Sequence, residues 1–240
     1  MAEIRPRQIL PLAALRFGAV TSDRVVVGSD VSLDNLGSVP ATVLALVYPT
    51  ALVSATKIFS KGSATGVGYL PLGIDGTLGN LVGQVNHTTT MVYKTTDTPL
   101  AALNGWHWLA SDIDVTRAAT DRVRFFGGKL GGVFSQRASA VTAEPAGAVT
   151  SDAASNGVLG NSNVNTEAFR GSIALVAVWR RSLGFNELRR LTQGGGSGFR
   201  ESNPVGLWRP GWQGRCVDES GNPNHGVITG AVQSGVRPRF

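Results

Sequence analysis

The sequence is poor in several features that would assign a protein to a familiar class. Its 240 residues contain one cysteine, Cys216, so the chain can form no internal disulfide. No apolar run reaches the roughly 18 residues that a membrane-spanning helix needs. Segment 8–20 is apolar, but Arg16 interrupts it and no small-residue cleavage site follows. These absences argue against a disulfide framework and a membrane span. We expect a protein without a signal peptide, made and folded in a reducing cytoplasm.

Charged residues are also scarce, at 16% of the chain, and those present are mostly basic. The 22 lysines and arginines exceed the 16 acidic residues and give a net charge of +6. They are spread along the chain, with no run of five or six like charges and no ribonucleoprotein signature of aromatic residues and glycine. We therefore expect no specific nucleic-acid binding. Arginine outnumbers lysine, which favours bidentate pairing with carboxylates on a neighbouring protein.

The chain does contain many short segments with the alternation typical of β-strands. Glycine, asparagine, aspartate and serine separate them at the spacing expected of an all-β sandwich. One short amphipathic helix follows the last of them, because Phe185, Leu188 and Leu191 repeat at helical spacing. The predicted strands are 24–28, 41–47, 55–60, 66–72, 79–85, 89–94, 106–115, 122–126, 131–135 and 171–179.

These segments divide the chain into four parts. An N-terminal arm, 1–22, precedes a sandwich, 23–192, and a Gly-rich linker, 193–198, leads to a C-terminal extension, 199–240. The extension is too short to build its own core, so we expect it to pack on the sandwich or on a neighbouring subunit. We also expect the sandwich to stay folded when residues 1–20 or 199–240 are deleted.

Four motifs occur in the order in which laminin-G-like domains carry them. They are Ile58-Phe-Ser-Lys-Gly62, Asn104-Gly-Trp-His-Trp-Leu-Ala110, Phe125-Phe-Gly-Gly-Lys-Leu130 and the strand and helix of 169–191. Over about 23–192 the chain therefore resembles laminin-G-like domains of the concanavalin A-like lectin and glucanase superfamily. The resemblance implies a concanavalin A-like jelly-roll β-sandwich. Gly206-Leu-Trp-Arg209 with 218–226 resembles the opening of many such domains, although here it follows the domain.

The carboxylates that catalysis would need are missing. Glucanases of this superfamily use a Glu-x-Asp-x-Glu strand, in which alternation places every carboxylate on one face. The acidic alternation here is Asp112-Ile-Asp114, and Thr116 occupies the third place. His107 lies between two tryptophans and His225 lies in a turn, so both have structural roles in our interpretation. The sequence therefore predicts a protein that is not an enzyme.

Neither a cofactor nor a metal ion is predicted, although Ca²⁺ stays open as an alternative. Some relatives hold Ca²⁺ on the rim of the sandwich with Asp and Asn oxygens. The loop 152–165 is rich in Asn and Ser but supplies only one carboxylate, Asp152, before Glu167. A neutral, hydrogen-bonded loop is the interpretation that we favour.

The tryptophans fall into two groups. Trp106, Trp108 and Trp179 occupy strand positions, where core packing explains them most simply. Trp208 and Trp212 lie in the irregular extension and are freer to contact another molecule. That molecule could be a sugar or a protein, because Trp and Arg are both enriched at protein interfaces.

We therefore predict a non-catalytic structural protein of a large assembly that docks through its arm and its extension. Bacteriophage head-decoration and tail proteins have folds of this kind, and this architectural resemblance implies a virion protein, such as a capsid decoration protein. Its expected partners are other virion or shell proteins and further copies of itself. The alternative is a lectin-like module that binds host or surface glycans. The residues expected to make the contacts are Trp208, Arg209, Trp212, Arg215, Arg5 and Arg7.

Overall fold

The fold is a sandwich of two antiparallel sheets, as the sequence predicts. The computed structural model describes residues 13–18, 22–53, 56–62, 68–76, 78–85, 87–89, 91–97, 103–153, 155–165, 167–194, 198–211 and 214–239. In the described residues, one α-helix, α1 (Phe185–Gln193), accompanies short 3-10 helices at Val31–Leu33, Leu36–Ser38, Ala119–Asp121 and Arg200–Ser202.

Each large sheet contains eight strands in the described part of the chain. In spatial order the first sheet has β11 (Ser135–Arg137), β10 (Val123–Lys129), β9 (His107–Ile113), β3 (Ala41–Pro49), β15 (Gly171–Trp179), β1 (Leu15–Phe17) and β18 (Val232–Gln233), and β16 (Gly206–Trp208) also pairs with β15. The second sheet has β12 (Ser139–Ala143), β8 (Met91–Thr95), β6 (Asn80–Val85), β5 (Gly68–Asp75), β4 (Thr56–Gly62), β14 (Gly157–Leu159), β2 (Arg24–Val26) and β17 (Val227–Thr229). A separate pair is formed by β13 (Ala146–Val149) and β7 (His87–Thr89).

One predicted strand is wrong. Residues 131–135 form a turn and an irregular segment, and the strand β11 begins only at their last residue, Ser135. Gly131 has a φ of 77°, a left-handed conformation that fits a turn and not a strand. The other predicted strands correspond to β2–β6, β8–β10 and β15 within a few residues.

The first sheet is buried on both faces. Alternate residues of β3, such as Val43 and Val47, face the core between the sheets, whereas Leu44 and Leu46 face the opposite side. On that opposite side a second apolar cluster includes Leu188 of α1. Burial on both faces explains why β3 and β15 have almost continuous apolar sequences.

The C-terminal extension completes both sheets. Strand β16 pairs with β15, β17 pairs with β2, and β18 pairs with β1. The core therefore includes Trp208, which is fully buried and stacks on Phe59 with ring centroids 6.1 Å apart. Its Nε1 donates a hydrogen bond to the Asn224 carbonyl oxygen at 2.7 Å. Gly206 leaves room for this ring, because a Cβ there would lie 2.2 Å from it.

Two expectations from the sequence are corrected by these strands. The segment 1–22 is not wholly an arm outside the sandwich, because Leu15–Phe17 pairs with β15. The expectation that the sandwich stays folded without residues 199–240 also changes, because these residues supply Trp208 and edge strands of both sheets. The physical reason is that Leu15, Phe17 and Trp208 belong to the core between the sheets, although they lie near opposite ends of the chain.

We predict that Trp208→Ala lowers the free energy of unfolding by about 3–5 kcal/mol, the cost typical of removing a large buried aromatic side chain. The measurement is chemical denaturation. The control is Val31→Ala, which removes an exposed side chain and should change stability by less than about 0.5 kcal/mol. Equal, small effects of the two substitutions would contradict the placement of Trp208 in the core.

Cys216 should be chemically inert in the native protein. Burial raises the pKa of its thiol to about 12, with the charge of Asp218 as a second cause. Because the thiolate is the reactive form, native Cys216 should react with a thiol reagent at pH 8 much more slowly than the unfolded chain does. An introduced, exposed cysteine, Val236→Cys in a Cys216→Ala background, is the control.

The same shift predicts a loss of stability in alkaline solution. The unfolded thiol ionises near its ordinary pKa of 9.0, whereas the folded thiol stays protonated to about 12. The stability contributed by the buried thiol is therefore complete below pH 9 and lost as the pH rises towards 12. In Cys216→Ala this component of the pH dependence should be absent.

Candidate protein interface

One short segment of the C-terminal extension supplies the end strand of each large sheet, on the same side of the sandwich. β17 is the last strand of the second sheet and β18 is the last strand of the first, within the described residues. The turn between them contains Gly230, whose φ is 71°. A Cβ at Gly230 would lie 2.3 Å from Oδ1 of Asp23, so the turn also needs glycine for space. Residues 227–233 thus carry the chain from one sheet edge to the other.

Aliphatic side chains are exposed along this segment and beside it. The exposed fractions are 68% for Val227, 55% for Val232, 48% for Val217 and 40% for Val236. Single exposed apolar residues are common on protein surfaces, but a group of them on one edge indicates an interaction site. Neither β17 nor β18 carries a charged residue, so neither has the charge that commonly protects an edge strand.

Exposed arginines surround these valines. Arg16 is paired in register with Val232, Arg215 precedes the bridge between Cys216 and Gly226, and two more arginines lie at 237 and 239. Among the described residues, none of these four arginines makes an ion pair. Residues 220–240 contain no aspartate or glutamate. We call the surface formed by Val217, Val227, Val232, Val236, Arg16, Arg215, Arg237 and Arg239 the C-terminal edge.

The structure describes three of the six residues predicted as contacts, and each lies in a different setting. Trp208 is buried in the core, so its prediction as a surface contact is wrong. Arg209 binds Glu219 at 3.1 Å within the extension, and Arg200 binds the same carboxylate at 3.1 Å. Arg215 is exposed and belongs to the C-terminal edge. Arg5, Arg7 and Trp212 lie outside the described residues and stay predictions.

The four valines and Arg16, Arg237 and Arg239 were missed by the sequence analysis. The sequence does contain a pattern that predicts one of these strands, because the β-branched run Val227-Ile228-Thr229 is typical of a strand. No acidic residue follows Glu219, so the arginines at 237 and 239 have no carboxylate close by in sequence.

The pair Asp112 and Asp114 forms a buried ion cluster. Nη2 of Arg117 lies 2.8 Å from Asp112 and its Nε lies 3.3 Å from Asp114. Thr42 also donates to Asp112 at 3.2 Å, and the Thr116 hydroxyl donates to Asp114 at 2.6 Å. One guanidinium therefore holds both carboxylates in place, which suits a structural role and not proton transfer to a substrate.

Several of the oxygens considered for Ca²⁺ accept hydrogen bonds within the protein. Asp152 accepts from Nζ of the buried Lys61 at 3.0 Å and from the Asn35 amide at 2.7 Å. Oδ1 of Asn161 accepts two backbone N–H groups, and Oδ1 of Asn165 accepts from Arg24 at 2.5 Å. In the described part of the chain, no three His, Cys, Asp or Glu side chains are grouped as metal ligands would be.

A small cleft separates α1 from the 3-10 helix at 200–202. Its volume is about 250 Å³, near the lower limit for small-molecule sites. Glu187 lines the cleft and accepts two hydrogen bonds from Arg181, and this interaction holds the pKa of Glu187 below its ordinary value.

Across the described residues, no helix combines the length and apolar character that crossing a membrane would require.

We predict that Arg117→Gln lowers the free energy of unfolding by about 3 kcal/mol, because it leaves the buried Asp112 without its ionic partner. The matched control is Arg124→Gln, which breaks an exposed pair with Asp121 and should cost less than about 1 kcal/mol. Thermal and denaturant unfolding measure both. If Arg117→Gln were as mild as the control, the cluster would not stabilise the fold as described.

Comparison with known proteins gives matches in fold but not in sequence. No protein-family profile matches the chain, and a search of curated proteins finds no significant match. A Bacteroides ovatus protein named for a proposed carbohydrate-binding function has a TM-score of 0.58 at 14% identity over 95% of this chain, which spans only 61% of that protein.

Two further structures match with lower scores. The carbohydrate-binding module CBM40 of the Ruminococcus gnavus IT-sialidase has a TM-score of 0.47 at 18% identity, covering 77% of this chain and 98% of the module. Tailspike protein 2 of the Escherichia coli O157:H7 bacteriophage CAB120 has a TM-score of 0.47 at 13% identity, covering 85% of this chain and 27% of the tailspike. At such identities the similarities concern the fold alone, and the chain is a jelly-roll β-sandwich.

Proposed function

We propose that this chain is a non-catalytic structural protein of a large assembly, and that it docks on neighbouring proteins through the C-terminal edge. The observation that carries the proposal is the combination, where both sheets end, of exposed valines with arginines that make no ion pair among the described residues. Apolar contact supplies the free energy of such docking, and the arginines supply orientation and specificity.

The non-catalytic part of the proposal rests on the acidic residues. The alternating pair that could have served a glycosidase, Asp112 and Asp114, is held by Arg117. A glycosidase needs one carboxyl group to protonate the leaving group and a second to act as nucleophile or base. The buried Asp112 is available for neither role.

The assembly that we propose is a bacteriophage virion. The support is the architectural resemblance to head-decoration and tail proteins, together with an arginine surplus suited to a shell of acidic proteins. Self-association has no support at the C-terminal edge, because two copies meeting there would bring arginines against arginines.

Glycan binding is the second candidate function, and the name of the Bacteroides ovatus protein is the observation that favours it. The described tryptophans do not support it. Trp106, Trp108, Trp179 and Trp208 are all buried, so none offers an exposed ring as a sugar platform. We therefore rank docking on protein above glycan binding.

The test is mass spectrometry of particles purified from the organism that produces the chain. We expect the wild type as a stoichiometric component, and we expect Val227→Lys with Val232→Lys to lower its incorporation roughly tenfold or more, as loss of interface anchors does. The control is Val133→Lys, which changes an exposed valine in the turn between β10 and β11, at the opposite end of the first sheet.

Normal incorporation of the double variant would contradict docking through this edge. A glycan-array signal that survives the double variant, in a protein absent from any particle, would instead support the lectin-like alternative.

A further inference from the structure

The C-terminal edge presents backbone as well as side chains. In the described part of the chain, no strand follows β17 in the second sheet or β18 in the first, although the Gly226 N–H, just before β17, already donates to the Cys216 carbonyl oxygen. The outer N–H and C=O groups of an edge strand can pair with an extended segment from another protein. The strands are short, with three residues in β17 and two in β18. Backbone pairing alone would therefore make few hydrogen bonds, and each contributes little net free energy.

Side-chain charge must supply much of the remaining affinity and the choice of partner. Arg215 and Arg237 lie close in sequence to the exposed Val217 and Val236, and no carboxylate of this chain pairs with either arginine among the described residues. A guanidinium binds a carboxylate through two parallel hydrogen bonds. The edge thus complements a strand that carries acidic residues beside β-branched ones.

A second copy of this chain does not fit that description. The whole chain carries a net charge of +6, and residues 220–240 contain no acidic residue. Two such edges would repel each other, because like charges would meet at the contact. The partner must therefore differ in charge from this protein.

We propose that the partner contributes an extended, carboxylate-rich segment that adds as a strand to β18, the end of the first sheet at the C-terminal edge. This inference rests on the proposed function, and it specifies the chemistry of the docking partner. Valine or other β-branched side chains of the added strand contact Val227 and Val232. Its carboxylates pair with Arg215 and Arg237.

The test uses the full chain and fluorescent synthetic peptides of about nine residues, a length that suits one strand. The first peptide alternates valine and glutamate. The second replaces every glutamate with lysine, and the third keeps the glutamates but replaces two central valines with proline, which removes the N–H groups needed for strand pairing. Fluorescence anisotropy measures the affinities.

We expect the valine–glutamate peptide to bind at least roughly tenfold more tightly than the other two, with weaker binding at high salt. The double variant Arg215→Glu with Arg237→Glu should lose this peptide and gain the lysine peptide. The control, Lys129→Glu with Arg189→Glu, makes the same change in net charge at exposed residues elsewhere and should retain the original preference.

Each contrary result overturns a defined part of the inference. If no peptide binds, or if the glutamate and lysine peptides bind equally, the proposal that the partner is acidic is wrong. Equal binding of the proline peptide overturns strand addition and indicates non-specific attraction between charges. If these results occurred while incorporation into particles still depended on Val227 and Val232, docking through the edge would stand and only the chemistry of the partner would be wrong.

Discussion

Burial of Trp208 between the two sheets is the interaction on which the rest of the structure depends. The indole stacks on Phe59 and donates to the Asn224 carbonyl oxygen, so it joins the last part of the chain to the central strands. Asp218 strengthens the connection by accepting from the Leu207 amide at 2.9 Å. Once these contacts form, residues 199–240 cannot act as a detachable tail. They become part of the sandwich.

This constraint determines which surface is available for binding. With Trp208 in the core, the chain that follows it runs along the surface, and β17 and β18 become the ends of the two sheets. Trp208, one of the two tryptophans considered as a sugar contact, is inside, whereas valines and arginines of the described extension are outside. The same packing that stabilises the domain therefore favours protein docking over glycan binding.

The sequence predicts the central architecture well and the contributions of the two ends poorly. Strands such as β3 and β15 could be recognised because both of their faces are apolar. β1 and β18 contain only three and two residues, too few for alternation to be recognised. The position of Trp208 could not be predicted from spacing either, since its contact with Phe59 joins residues far apart in the chain. The sequence shows that Asp112 and Asp114 alternate along one strand, but their partner Arg117 becomes evident only in the fold.

The central claim is that the C-terminal edge is covered when the protein is in its assembly. Hydrogen exchange of backbone amides, compared between the free protein and purified particles, tests this most directly. We predict slower exchange in residues 227–233 within the particle and little change at the opposite edge, in β11 and β12. Protection at β11 and β12, with unchanged exchange in 227–233, would contradict it.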